Sequence, residues 1–313
     1  MKRSISRCAL LLGFGSPSAV EDIEAFLKKV TGKESIPPEY VNPVVSRYKA
    51  IGGRSPFIDI ALKQAELLQN ELTPDGTLVM LGLRYSNPTI QDAVRRILAE
   101  KIDEVIGMPL TPHYSAMSTG EYFKALSGEL KEYGNITLRL IDSWYSNRKY
   151  IGLLSKRIQE GIAGFGRVAM SSVCVLFTAH SLPLDRMPGN DPYVEQLKST
   201  INSVVNVMGD LRSVLAFQSR RPGRDKWLEP EALKSVDDLA SKGIKNILVV
   251  PLSFVSDHLE TLYDIDIQLK NHAEAKGIKL IRAQSFNTDP EFIDVLADII
   301  HSAGIGHVLS GKR

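Results

Sequence analysis

Cysteine is scarce: Cys8 and Cys174 are the only two in 313 residues. They form no C-x-x-C pair and supply too few thiolates for a four-cysteine iron–sulfur cluster, so neither that cluster nor a disulfide framework is expected, and a reducing compartment is. Charge of one sign is also scarce. Thirty-eight Lys and Arg against 36 Asp and Glu leave a formal net charge of +2, no surplus for a polyanion, which argues against nucleic acid. Apolar residues make up 43% of the chain, yet no uninterrupted run approaches the roughly 18 residues of a membrane span. The basic-then-apolar start MKRSISRCALLLGF looks like a leader, but its apolar run is only about seven residues and ends in Gly-Phe-Gly-Ser-Pro, which reads as a first strand and a turn. That turn lacks both G-x-G-x-x-G and a P-loop lysine, so it is not read as a nucleotide site. What remains is a cytoplasmic globular chain long enough for two domains, touching a membrane at most peripherally.

Strand-like runs recur at Cys8–Gly13, Leu78–Leu83, Glu104–Pro109, Ile136–Ile141, Val173–Thr178, Val214–Phe217, Ile247–Leu252 and Ile278–Ile281. Helical stretches such as Pro56–Glu71, Ile90–Lys101, Tyr150–Gly161 and Pro230–Lys242 lie between them. This alternation predicts an α/β chain of two similar doubly wound domains, each a four-stranded parallel sheet flanked by helices, with the active cleft between them. The expected division is 1–146, with a helix at about 290–303 packing back on it, and 147–289. Ligand-binding residues are expected beyond the carboxyl ends of the strands.

One stretch, NILVVPLSFVSDHLETLYDIDIQLK at 246–270, draws the rest around it. A strand and loop lead to Ser256 and Asp257, good N-cap residues, and to a helix from about His258. At 100° per residue Asp257, Glu260, Asp264, Gln268 and Asn271 share a face. That face reads either as a solvated stripe opened by an Asp257–Glu260 capping box, or as a row of carboxylates that collects a divalent cation. His180, after the run Val173–Phe177, is either a structural hydrogen-bonding residue or a neutral imidazole able to hold a metal or take a proton. Ser55 reads as the N-cap of the helix beginning near Pro56, Ser118 and Glu121 as a capping box, and Trp227 as packing at the start of a helix. Arg220, Arg221, Arg224 and Lys226 make a basic loop.

Taken together, Gly15-Ser16-Pro17, Arg47-Tyr48 with Ile51-Gly52-Gly53 and Ser55-Pro56, Thr111-Pro112-His113-Tyr114-Ser115, Ala179-His180-Ser181-Leu182-Pro183, Gln218-Ser219 with Trp227-Leu228 and Pro230, and Ser256-Asp257-His258-Leu259-Glu260-Thr261-Leu262-Tyr263-Asp264 resemble the ferrochelatases. The match runs in order along essentially the whole chain, closest to the compact bacterial, coproporphyrin-using branch. The resemblance implies a chelatase-like fold, porphyrin and Fe²⁺ as substrates, no prosthetic cofactor, and transient contact with neighbouring haem-pathway enzymes. By position it implies His180 and Glu260 as the catalytic and metal-site pair, and Asp264 as the next metal-site acid. It implies Phe14, Arg47, Tyr48, Ser55, Tyr122 and Trp227 as porphyrin contacts. Three positions depart from the branch pattern: Phe14 stands where a ligating tyrosine is common, Gln268 where an outer acid is expected, and Thr31 where an arginine is expected, leaving Lys28, Lys29 and Lys33 as propionate partners. Two other functions share parts of the pattern, a sirohydrochlorin cobaltochelatase and a non-catalytic tetrapyrrole or haem carrier.

Overall fold

The computed structural model describes residues 6–220 and 225–303. It divides into two compact units, one made of residues up to Trp144 together with those from Asn287 onward, the other of Tyr145–Phe286. Arg221 and Arg224 of the expected basic loop lie outside the described residues; within them, Arg220 pairs with Glu231 at 3.2 Å.

Unit one runs β1 (Arg7–Gly13), α1 (Ile23–Thr31), α2 (Pro38–Ala50), α3 (Phe57–Leu72), β2 (Thr77–Leu83), α4 (Ile90–Ala99), β3 (Glu104–Pro109), α5 (Thr119–Leu130) and β4 (Thr137–Leu140), and closes with the C-terminal helix Pro290–Ala303. Its strands are all parallel, in the order β2-β1-β3-β4. Strand β1 is apolar without alternation because both its faces are covered. Cys8, Leu10 and Leu12 pack with Ile90, Val94 and Ile97 of α4 and with Phe123 and Leu126 of α5. Ala9 and Leu11, which point the other way, are equally buried. Each such leucine withdraws enough apolar surface to stabilise the fold by about 2 kcal/mol. The C-terminal helix packs on α3, and Gln64 of α3 donates to the Asn287 carbonyl at 2.6 Å. Burial pushes the Cys8 thiol up to about 12, which makes it an inert core group.

Unit two repeats the plan with β5 (Val173–His180), β6 (Ser213–Gln218), β7 (Asn246–Pro251) and β8 (Lys279–Arg282), again parallel, in the order β6-β5-β7-β8. Its helices are α6 (Arg148–Ala163), α7 (Tyr193–Met208), α8 (Ala232–Ser241) and, after a π-helix at Glu260–Leu269, the short α9 (Lys270–Glu274). Leu176, Ile247 and Val249 of the sheet pack with Val236 and Leu239 of α8 and with Ile265 and Leu269 of the π-helix. Helix α6 starts cleanly because the Asn147 side chain accepts from the Tyr150 N–H at 3.0 Å.

Three local expectations are corrected. Ser118 precedes α5 without a side-chain cap, and Glu121 turns instead to Lys124 at 2.7 Å. Helix α3 starts one residue later than expected, with Pro56 in the N-cap position, yet the Ser55 hydroxyl still supplies the capping bond, accepting from the Phe57 N–H at 3.3 Å. The segment after His258 is a π-helix over Glu260–Leu269. At its wider turn of about 82° per residue Glu260, Asp264 and Gln268 still share a face, but Asp257 precedes the helix and Asn271 lies beyond it in α9. Among the described residues no helix is long and apolar enough to cross a membrane.

Candidate active site

Strand β5 delivers His180 at its carboxyl end, where its backbone is held from two sides. The His180 N–H donates to Ser253 Oγ at 3.1 Å, and the Tyr193 hydroxyl donates to the His180 carbonyl at 3.1 Å. Burial, opposed by a hydrogen bond from Ser253 and reinforced by the Glu260 charge, raises the Tyr193 pKa, so this hydroxyl stays protonated and able to donate.

Across from it, the π-helix begins with Glu260. His180 Nδ1 lies 3.0 Å from Glu260 Oε2, and His258 Nε2 lies 3.8 Å from the same oxygen. Burial alone would raise the carboxyl, but the charge of His180 and hydrogen bonds from His180 and His258 outweigh it and hold Glu260 well below the ordinary carboxylate range. Glu260 is therefore a carboxylate, and His180 meets it with an Nδ1–H. In the neutral ring that Nδ1–H leaves Nε2 as the basic nitrogen, whereas in the charged ring Nε2 carries a proton as well. Phe254 packs against both imidazoles, its ring centroid 6.4 Å from that of His180 and 4.2 Å from that of His258. The side chains of His180 and Glu260 keep 32% and 25% of their surface exposed, enough for an incoming ion to reach them.

The capping-box reading of Glu260 falls with this geometry. The π-helix has no side-chain cap, and Asp257 faces Arg282 Nη1 at 2.9 Å and the Ser285 hydroxyl at 2.7 Å. Asp264, one wide turn beyond Glu260, is 7% exposed and accepts from Ser219 Oγ at 2.5 Å. Ser219 follows β6 with φ +63°, a left-handed conformation that is costly for a residue with a Cβ and that aims its hydroxyl at Asp264. Among the described residues, no group of three or more His, Cys, Asp or Glu is arranged to hold a metal ion. A cation meeting the His180–Glu260 pair would keep most of its coordination sphere for other ligands.

Trp227 is joined to the segment after His180. It bridges Pro183 in a short antiparallel contact, and the Leu228 N–H donates to the Leu182 carbonyl at 3.1 Å. Unit two thus brings together His180, Glu260, Asp264 and Trp227. The remaining expected porphyrin contacts lie in unit one. Phe14 is 40% exposed and sits edge-on to Tyr85 at 4.8 Å and Phe26 at 6.0 Å. Its neighbour Gly15 has φ +99°, and a Cβ there would stand 2.6 Å from Ser86 Oγ, so the tight turn requires glycine. Arg47 and Tyr48 close the last turn of α2. Tyr48, Ser55 and Tyr122 are 3%, 5% and 6% exposed, and burial raises the Tyr122 hydroxyl pKa.

Sequence reasoning missed His258, Ser219, Tyr193, Ser253 and Arg282 as members of this site. His258 and Ser219 lie inside the family-like motifs, where neither residue type signals a separate role. Tyr193, Ser253 and Arg282 carried no pattern that periodicity could detect.

The chain matches the Ferrochelatase family over residues 7–303. It is 36% identical over 301 residues to a ferrochelatase of Herpetosiphon aurantiacus, covering 95% of this chain and 99% of that one. A ferrochelatase of Geotalea uraniireducens is 38% identical over 310 residues, with 93% and 96% covered. Among solved structures, SirB from Bacillus subtilis with Fe³⁺ superposes with a TM-score of 0.56 at 13% identity, covering 95% of each chain. CbiX, the terminal enzyme of siroheme biosynthesis in denitrifying bacteria, gives 0.55 at 15% identity, covering 95% of this chain and 99% of that one. At those identities the two structures speak for the fold alone. The sequence matches go further: the chain belongs to the ferrochelatase family of metal chelatases.

Proposed function

We propose that this protein inserts Fe²⁺ into a porphyrin in haem biosynthesis, with coproporphyrin III favoured over protoporphyrin IX, and that His180 and Glu260 carry the chemistry. The observation behind the assignment of roles is the 3.0 Å contact between His180 Nδ1 and Glu260 Oε2, placed at strand and helix ends in a member of this family. Insertion forms four Fe–N bonds and releases two pyrrole protons. The ionised Glu260 receives the ferrous ion, with Asp264 behind it as the preceding stop. The basic Nε2 of His180 accepts the two pyrrole protons in turn, passing the first to water before taking the second, or holds the metal as it arrives, and Glu260 stabilises the imidazolium formed in the first case.

Clamping and bending a flat macrocycle exposes its nitrogen lone pairs, at a cost met by binding energy elsewhere on the ring. Phe14, Tyr48, Tyr122 and Trp227 are our candidates for the apolar contacts, and Arg47 and Ser55 for the propionates. Phe14, with its exposed face, is the most accessible aromatic of that set. We place the reaction in the cytoplasm, in keeping with two free, buried thiols, and expect transient hand-off contacts with the enzymes before and after it.

The test is anaerobic Fe²⁺ insertion assayed side by side with coproporphyrin III and protoporphyrin IX, in the wild type and in His180→Ala. The wild type should metallate coproporphyrin III faster, and His180→Ala should lose turnover while binding porphyrin as before. Near wild-type turnover in the variant removes the assigned role. A wild type that binds either porphyrin and metallates neither is a carrier.

A further inference from the structure

Four acids crowd the stretch that carries the proposed metal site: Asp257, Glu260, Asp264 and Asp266. Two of them do not turn toward His180 or Ser219. Arg282, the last residue of β8, donates from Nε to Asp266 Oδ1 and from Nη2 to Asp266 Oδ2, both at 2.8 Å, a two-pronged fork. Its third nitrogen, Nη1, donates to Asp257 Oδ1 and to Ser285 Oγ, each at 2.9 Å. Ser285 Oγ in turn donates to Asp257 Oδ1 at 2.7 Å. The Arg282 side chain is only 11% exposed, against 22% for Asp257 and 35% for Asp266.

One guanidinium therefore grips the loop before Glu260 and the helix after it, bracketing the residue that must meet His180. A withdrawn ion triad of this kind is a poor way to gain stability, because desolvating the charges consumes most of what their attraction returns, and apolar replacements often do as well. What it does supply is geometry. A planar fork fixes direction as well as distance, which a lysine cannot reproduce.

The helix it holds needs such a hold. Ten residues of π-helix are far longer than the single-turn insertions in which this conformation is usually found. An added tether that fixes its register would fix Glu260 with it.

We propose that Arg282 is a positioning residue for metal insertion: its simultaneous grip on Asp257 and Asp266 sets the π-helix so that Glu260 stands within hydrogen-bonding distance of His180. This rests on the function proposed above. Arg282 touches neither of the reacting groups and acts through the two aspartates.

The test compares Arg282→Lys, which keeps the charge and loses the fork, with the triple variant Arg282→Met, Asp257→Asn, Asp266→Asn, which removes all three charges together and so leaves none buried unpaired. For each, anaerobic Fe²⁺ insertion gives kcat and porphyrin KM, and thermal melting gives the folded fraction. Both variants should fold. Both should lose kcat by roughly 10- to 100-fold, the cost of a misplaced catalytic group, with porphyrin KM within about twofold of wild type. Co²⁺ binding without porphyrin should weaken in parallel, since the same carboxylate is displaced. A folded Arg282→Lys or triple variant with wild-type kcat overturns the proposal, as does a loss of activity that only mirrors a loss of folded protein. A wild type that fails to metallate porphyrin overturns the proposed function, and this inference with it, before any variant is compared.

Discussion

Replacing Glu260 by glutamine separates its charge from its shape, and the structure sets the size of both effects. The amide oxygen of glutamine can still accept from His180 Nδ1–H across the 3.0 Å contact. What is lost is charge assistance, so a bond worth about 1.5–3 kcal/mol becomes one worth about 0.5–1.5. The variant also no longer keeps an ionised group at a site where the side chain is 25% exposed, which offsets part of that loss. Net destabilisation should be about 1 kcal/mol or less, a fall in Tm of a few degrees at most for a chain of this size.

The chemistry should suffer far more. Without a carboxylate there is no anion to receive Fe²⁺ or to stabilise imidazolium, and removing an acid–base partner of this kind costs about 10²–10⁴ in rate. The assay follows loss of porphyrin fluorescence on anaerobic Fe²⁺ insertion, alongside porphyrin binding and thermal melting of the same preparation. Turnover within about threefold of wild type, in a folded variant, would show that the Glu260 charge is not needed for insertion. So would a melting temperature far below wild type with normal turnover per folded molecule, because Glu260 would then be a structural residue.

His113 is 1% exposed, and burial lowers its pKa to about 3 from 6.5. The folded chain refuses a proton that the unfolded chain accepts, so the stability contributed is complete above about pH 6.5 and lost as pH falls toward 3, on the order of 2–3 kcal/mol by about pH 4.5. In His113→Gln the slope of Tm between about pH 6 and 4 should flatten; an unchanged slope contradicts the assignment. Two glycines of α6 should respond oppositely to alanine. A Cβ at Gly152 meets nothing within 4 Å, whereas one at Gly161 would stand 2.5 Å from Leu248 Cδ1, inside the sheet core. Gly152→Ala should stabilise by about 0.5–1 kcal/mol, and Gly161→Ala should destabilise by about 1–2 kcal/mol despite the same helix preference. Urea midpoints decide between these signs, and equal shifts would show that the packing argument is empty.

The strands were readable because a parallel strand covered on both faces has nothing polar to interrupt it: Leu10-Leu11-Leu12 and Ile247-Leu248-Val249-Val250 announce themselves as continuous apolar runs. Motif order then pointed to His180 and Glu260, which the fold places at a strand end and a helix start within one unit. The π-helix was unreadable, since reading a helix face from sequence presupposes an ordinary turn. Asp257 escaped that face for a simpler reason: it lies in the loop before the helix and belongs to Arg282. Ser219 escaped for a different reason. Nothing in a serine's identity declares a positive φ, which here is imposed by the surroundings. Glu121, read as half of a capping box, pairs with Lys124 because both are exposed on one helix face and free to choose the nearer charge.

Unit one is assembled from two separate stretches of sequence, one up to Trp144 and one from Asn287 on, while unit two is a single stretch, Tyr145–Phe286. Every residue assigned here to cation handling falls within that stretch, from His180 and Ser219 to Glu260, Asp264 and Arg282. The residues proposed for ion handling thus form one contiguous stretch of the sequence. Phe14, Arg47 and Ser55, our candidates for macrocycle contacts, all lie outside it, so substitutions meant to probe macrocycle choice leave every residue of the proposed ion path in place.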